Sequence, residues 1–183
     1  MKTFQDLQEG VYDPNILKAF FLAGGPGSGK SYVIERGTGG LGMKIVNSDD
    51  IFEKYIDDAG MTWKMNTKLG REQEVDRDRL RARAKEVANK QKANYVEGRL
   101  GLIIDGTGKE YDNITGKAQK LRLLGYDIHM IFVNTSLDVA LRRNAARKRT
   151  LRPDIATKSW KSVQTNMGKF SQFFRQGFIL VDN

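Results

Sequence analysis

Five short apolar runs punctuate the chain: AFFLA at Ala19–Ala23, MKIVN at Met43–Asn47, GLIID at Gly101–Asp105, DIHMIFV at Asp127–Val133 and FILV at Phe178–Val181. Each is rich in β-branched or aromatic residues and bounded by polar sequence, so each predicts a strand. The stretches between them are longer and mostly polar, as crossovers between parallel strands must be. This rhythm predicts an α/β three-layer sandwich on a mostly parallel five-stranded sheet.

Helices are expected in the connections. Ser136 to Arg149 places Leu137 and Leu141 on one face, with Ser136 as N-cap and arginines at the far end, where the helix dipole favours cations. Ile155 to Phe174 sets Trp160, Val163, Met167, Phe170 and Phe174 three and four residues apart, a broad apolar face. Glu72 to Tyr95 is dominated by charge, with a narrow stripe of Val75, Leu80, Ala84, Val87, Ala88 and Tyr95, and reads as an exposed helix with mixed charges pairing at i,i+4. A single domain is predicted over 1–183, with an N-terminal arm over 1–18, a charged helical insertion near 60–98 and an arginine-rich lid near 142–153.

The first predicted strand runs straight into Gly24-Gly25-Pro26-Gly27-Ser28-Gly29-Lys30-Ser31, which fits G-x-x-x-x-G-K-[ST] at every fixed position. Glycines let the backbone turn its N–H groups onto phosphate oxygens, and the following helix, SYVIER, offers its positive end. Lys30 is expected to reach the β and γ phosphates of ATP or GTP, and Ser31 to ligate Mg2+. Gly37-Thr38-Gly39-Gly40 ends that helix after some two turns.

Ligands of an open parallel sheet sit at the carboxyl ends of its strands. Two strands end there in acids. After the second strand, Asp49 is placed to accept the proton of an attacking hydroxyl, while Asp50 is read as the N-cap of the helix IFEKYIDD. After the third, Asp105 reads as the acid that holds magnesium directly or through water. Arg142, Arg143, Arg147, Lys148, Arg149 and Arg152 then crowd the region after the fourth strand. Arg143 and Arg147, at i,i+4, are expected to share a helix face and close over the γ-phosphate. His129 alternates with apolar neighbours inside a strand and reads as a packed residue.

Charge and composition narrow the partners. The 31 Lys and Arg against 22 Asp and Glu give a net +9, a field that attracts nucleotides and nucleic acid. There is no cysteine, hence no disulfide framework and no thiolate zinc site. No apolar run reaches the roughly 20 residues of a membrane helix, and MKTFQDLQEGVYDP has no secretory pattern, so an intracellular, cytoplasmic protein is expected.

GGPGSGKS, NSDD, LIIDGT and GYDIHMIFVNTSLDVALRRNAARKR together resemble, in order and spacing, the small P-loop kinases related to phage-type polynucleotide 5′-kinases and the zeta toxins. The likeness runs from about Phe20 to Met167 and implies a phage-encoded member, placed in the host cytoplasm. For the polynucleotide kinases it implies a base at Asp49 and clamping arginines at Arg143 and Arg147. DGTG is similar to the acidic-Gly-Thr motif of the toxins, which implies a nucleotide-sugar acceptor. Ser48 stands where an arginine precedes the base in the first group, and Gly108-Lys109 where an arginine follows the motif in the second. The acceptor thus stays open among a polynucleotide 5′-hydroxyl, a nucleoside-type hydroxyl and a nucleotide sugar. A third possibility of another class is an ATP-binding switch whose basic surface holds nucleic acid.

Overall fold

The computed structural model describes residues 15–38, 42–61, 71–147 and 150–183. Most of the N-terminal arm, the start of the 60–98 insertion, Gly39-Gly40 and the lid residues Lys148 and Arg149 lie outside them. The elements run β1 Lys18–Ala23, α1 Lys30–Thr38, β2 Lys44–Val46, α2 Ser48–Asp58, α3 Arg71–Glu97, β3 Leu102–Ile104, α4 Tyr111–Leu123, β4 Asp127–Asn134, α5 Leu137–Ala145, α6 Pro153–Phe174 and β5 Phe178–Asp182. All five strands are parallel, in the order β2-β3-β1-β4-β5. The three-layer α/β fold expected from the apolar runs is therefore present.

Period-two alternation sends each strand's side chains to opposite faces. One face carries Ala19, Phe21, Leu102, Ile104, Met130 and Phe132 against Ala118 and Leu121 of α4 and Val163, Phe170 and Phe174 of α6. The other carries Leu22, Ile103, Ile131 and Val133, covered by Ile34 of α1. Because β1 and β4 are covered on both faces, they read as nearly continuous apolar runs.

The helix α3 is longer than its sequence stripe suggests, and Val75 is exposed on it. Its packing is carried by Ala84 and Leu80 against Phe52 and Ile56 of α2, a small satellite core. Arg81 and Arg83 lie over the rings of Phe52 and Tyr55 at 4.6 and 5.2 Å, so these long stems cover apolar surface while their charge stays wet. His129 stacks on Phe20 at 4.9 Å and bonds Asp127 at 2.8 Å. It packs within the sheet, at the strand N-termini, far from the Gly24–Ser31 loop.

Candidate active site

At the carboxyl end of β1 the chain turns through Gly24–Gly29 directly into α1, whose first residue is Lys30. Gly27 takes φ +80°, and a Cβ there would fall 2.2 Å from the Ala140 carbonyl oxygen of α5. Only glycine satisfies both the dihedral and this approach. The loop is braced on three sides. The Ser28 N–H donates to the Gly25 carbonyl at 3.1 Å, and the Gly24 N–H to the Thr107 carbonyl beyond β3 at 3.1 Å. Trp160 of α6 lies against Gly25, its indole donating to the Thr135 carbonyl at 2.9 Å. Pro26 and Ser28 are buried inside this frame, while Ser31 is exposed on the first turn of α1. That turn contains no acid, so its N-terminal partial positive charge is uncompensated by the helix itself.

The charged groups from four strand ends converge here. Lys30 donates to the Gly24 carbonyl across its own loop at 2.8 Å. Burial drives the Lys30 ammonium below its usual range, Arg147 adds to that, and Asp105 and Asp49 oppose it. Burial likewise raises the Asp105 carboxyl, as does Asp49, against the stabilising pull of Lys30, the Gly106 N–H and Arg147. Lys30, Asp49, Asp105 and Arg147 thus share one electrostatic field at the carboxyl edge of the sheet, although they are up to 117 residues apart in sequence.

Two sequence expectations need correction. Asp50 is not the N-cap of α2: the helix begins three residues earlier than IFEKYIDD, at Ser48, and Asn47 caps it by accepting the Asp49 N–H at 2.9 Å. Asparagine's short amide suits this better than an acid already inside the first turn. Asp50 instead accepts from the Asn47 amide at 2.8 Å. Nor do Arg143 and Arg147 share a helix face, because α5 stops at Ala145 with Ala146 as its C-cap.

The cause of that early stop is Asn144, a residue the sequence pattern did not single out. It is 2% exposed, and its amide brackets Leu151 by donating to the Leu151 carbonyl at 2.8 Å and accepting the Leu151 N–H at 3.2 Å. The chain must turn back to meet it. Arg143 remains on α5, with its guanidinium 3.5 Å from the Ser28 carbonyl and close beside Gly29. Arg147 lies past the helix, within the field of Lys30 and Asp105.

A second unforeseen group is Asn183. Its amide donates to the Ser28 carbonyl at 2.8 Å, its backbone N–H donates to the Asn134 carbonyl at 3.0 Å, and Asn134 in turn holds Asp182 at 2.7 Å and Gln164 at 2.9 Å. This polar strap fastens the ends of β4 and β5 to the loop. Its only sequence signal is a single amide at the end of β4 and another just past β5, which spacing alone does not decode.

The donor set fits a magnesium ion carried by a nucleotide. Asp105 Oδ1 is buried without a hydrogen-bond partner, an arrangement that a protein tolerates where an ion or its water completes the site. Among the described residues no three His, Cys, Asp or Glu side chains gather in a metal-binding group. One carboxylate and one hydroxyl are what a phosphate-bound Mg2+ takes from a protein, the remaining ligands being phosphate and water. Also among the described residues, no helix is long and apolar enough to cross a membrane.

Residues 20–169 match the model of a family described as an AAA domain. No curated protein matches the sequence. Among solved structures, the chain is similar to one in the complex of AvrRxo1-ORF1 and -ORF2 with ATP, at 14% identity and a TM-score of 0.67, covering 91% of this chain and 54% of that one. It is similar to a chain of the PezAT chromosomal toxin-antitoxin system of Streptococcus pneumoniae, at 16% identity and a TM-score of 0.64, covering 98% and 73%. It also matches a chain of the Pnkp1/Rnl/Hen1 RNA repair complex, at 16% identity and a TM-score of 0.62, covering 85% and 46%. The chain spans about half the length of the first and third of these. At such identities the likeness is one of fold.

Proposed function

Because the chain belongs to this AAA-domain family, we propose that it is an ATP- and magnesium-dependent phosphotransferase that moves a γ-phosphoryl group onto a hydroxyl, the first acceptor being a polynucleotide 5′-hydroxyl or a nucleoside-type molecule. The observation that carries this reading is the convergence of Lys30, Asp49, Asp105 and Arg147 beside the Gly24–Ser31 loop. A loop that only grips a nucleotide has no use for a second acid, Asp49, beside the lysine.

In the proposed reaction the backbone N–H groups of Gly25–Lys30 and the Lys30 ammonium hold the β and γ phosphates. Ser31 and Asp105 would hold Mg2+, which supplies charge neutralisation on the phosphate oxygens. Asp49 accepts the acceptor's hydroxyl proton as that oxygen bonds to the γ-phosphorus and the bond to the β–γ bridging oxygen breaks, leaving ADP. Arg143 and Arg147 neutralise charge that spreads over the equatorial oxygens in the transition state. GTP fits the same loop contacts, so the base preference is set elsewhere. Within the 60–98 insertion and the arginine-rich 142–153 segment, the described residues of α3 and Arg142–Arg147 are proposed to wall the acceptor side.

A nucleotide sugar is the second acceptor class, favoured by the resemblance of the Asp105-Gly106-Thr107 turn to the acidic-Gly-Thr motif of the zeta toxins. The test is γ-phosphate transfer from ATP with Mg2+ to a 5′-hydroxyl oligonucleotide, a nucleoside and a nucleotide sugar. Transfer to the oligonucleotide that drops at least about 1,000-fold in Asp49→Asn, with ATP still bound, is the expected outcome. ATP binding by the native chain without transfer to any of the three sinks the kinase reading in favour of a switch.

A further inference from the structure

The chain's positive charge is unevenly placed. Residues 114–124, most of α4, hold three cations and no acid, and residues 155–175, nearly all of α6, hold four cations and no acid. These two stretches contribute seven of the net +9 charges. The two helices lie side by side, since Ala118 and Leu121 of α4 and Val163, Phe170 and Phe174 of α6 are buried against the same face of the sheet. Their outer sides therefore form one surface. The acids Glu110, Asp112 and Asp154 all come before the acid-free stretches.

The charge is exposed and ordered. Along α6 the exposed Lys158, Lys161, Thr165, Lys169 and Gln172 follow one another at three and four residues, a row of about 21 Å. It starts beside Trp160, which lies against Gly25 of the phosphate loop. On the other flank the surface extends to α3: burial lowers the Lys92 ammonium below its usual range, and Lys117 and Lys120 of α4 lower it further. The bland account is a solubilising surface. Such a surface mixes both signs, as α3 does with Lys90 and Glu86 at 2.8 Å and Arg79 and Asp76 at 3.9 Å. The faces of α4 and α6 do not.

The chemistry of the surface selects among polyanions. Its rings are covered: Lys169 lies 5.8 Å over Tyr111, which is backed by Phe170, and Arg122 lies 5.5 Å over Phe173, which is backed by Phe174. Neither offers a free face to an unpaired base, as single-strand sites do. Lysines interleaved with amides and hydroxyls suit phosphates and sugars instead. The α6 row also carries no apolar side chain for a lipid interface to take up. We propose that the outer face of α4 and α6 docks double-stranded nucleic acid through its phosphate backbone, without reading sequence. The docking face does not rest on the kinase reading, because none of its cations is a group assigned to phosphoryl transfer.

The probe is a DNA duplex of about 20 base pairs with phosphorylated 5′ ends, which offers no 5′-hydroxyl, added to the full chain with its loop saturated by a non-hydrolysable ATP analogue. Binding is read by fluorescence anisotropy from about 50 to about 200 mM salt, where about five phosphate contacts should cost about 500-fold in affinity. A single strand of equal length should bind at least about tenfold more weakly. Replacing Lys158, Lys161 and Lys169 together by Gln should weaken the duplex at least about tenfold and reduce the slope of log affinity against log salt by about 2–3. Replacing the exposed Arg36, Lys54 and Lys85 of α1, α2 and α3 by Gln removes the same charge elsewhere and should change affinity less than about threefold. Absence of duplex binding overturns the proposal, as do equal losses in the two triple variants, which would reduce the effect to net charge. A single strand held as tightly, or vesicles of phosphatidylserine and phosphatidylcholine held as tightly through the exposed Leu123 and Leu124, also overturn it. No transfer is read, so none of these outcomes bears on the kinase reading.

Discussion

The two ends of the sheet handle charge in opposite ways. At the carboxyl end, Lys30 and Asp105 are both half-buried and each is pushed toward its neutral form by desolvation, but each also pulls the other back and both feel Asp49 and Arg147. Removing either leaves a desolvated charge without its counterweight, which costs more than the pair gains. At the amino end, Arg122 and Arg175 are exposed, with no acid paired to either among the described residues, and the strain sits in the backbone at Arg175, where φ is +51°, instead. One end thus balances its charges internally, whereas the other leaves its positive charge to solvent.

The strongest way to break this contrast is at the carboxyl end. In the proposed reaction the Lys30 ammonium serves both bound phosphate and transition state, so Lys30→Ala should abolish detectable transfer and weaken ATP binding together, and it should leave Asp105 with only the more weakly acting Arg147 as a cation. Arg147→Ala and Arg143→Ala come next, each slowing transfer by about two to four powers of ten. The pair is separable by steady-state kinetics. On the proposed reaction, Arg147, in the field of Lys30 and Asp105, should act on kcat, whereas Arg143, beside the Ser28 carbonyl, should also raise the KM for ATP. Identical losses in kcat and KM for both variants would mark the arginines as general phosphate contacts.

At the amino end the effect is one of stability. Strain at a non-glycine residue of this kind costs about 1–3 kcal/mol. For a domain of this size, Arg175→Gly should therefore raise the melting temperature by about 2–12 °C, less what glycine's freedom returns to the unfolded chain. A lower melting temperature by calorimetry would mean that the Arg175 side chain contributes more by packing than its dihedral costs, and the contrast between the ends would lose its second half.

The sequence made one end of this comparison visible and hid the other for physical reasons. The buried strands β1, β3 and β4 announce themselves as short apolar runs and the edge strand β2 by its Ile45-Val46 pair; the loop, Asp49 and Asp105 follow β1, β2 and β3, so chain order alone brought most of the charged groups to one edge. The helix α4 carried no such signal: Ile114, Thr115, Ala118 and Leu121 are interrupted by Gly116, and its stability comes from packing on α6 and the sheet. The end of α5 was masked because a side chain, Asn144, overrides a favourable helical pattern by bonding a backbone seven residues on. The contacts of Asn183 and the common face of α4 and α6 depend on which helices and strand ends become neighbours, information that exists only once the chain is folded.

The smallest expected effect tests how finely the carboxyl end is balanced. Partial burial raises the Asp50 carboxyl above its usual range, Asp105 and Asp49 add to it, and the Asn47 amide opposes them. The N-terminal dipole of α2 also favours an ionised acid in its first turn, but the upward shift means that burial and the neighbouring carboxylates prevail. With a folded pKa above the unfolded one, the native state binds more protons between the two, so stability falls as pH rises through that window. The penalty is fully present at neutral pH and vanishes below the unfolded value of about 3.8. Asp50→Asn keeps an oxygen to accept from Asn47 and removes the charge. Because Asp50 is exposed and its charge is screened by solvent, the variant should melt only slightly higher than the native chain at pH 7, with the gap closing toward pH 4. A variant that melts lower at pH 7 would show that the helix dipole outweighs the crowding of three carboxylates, and that this end of the sheet holds less opposed charge than its geometry implies.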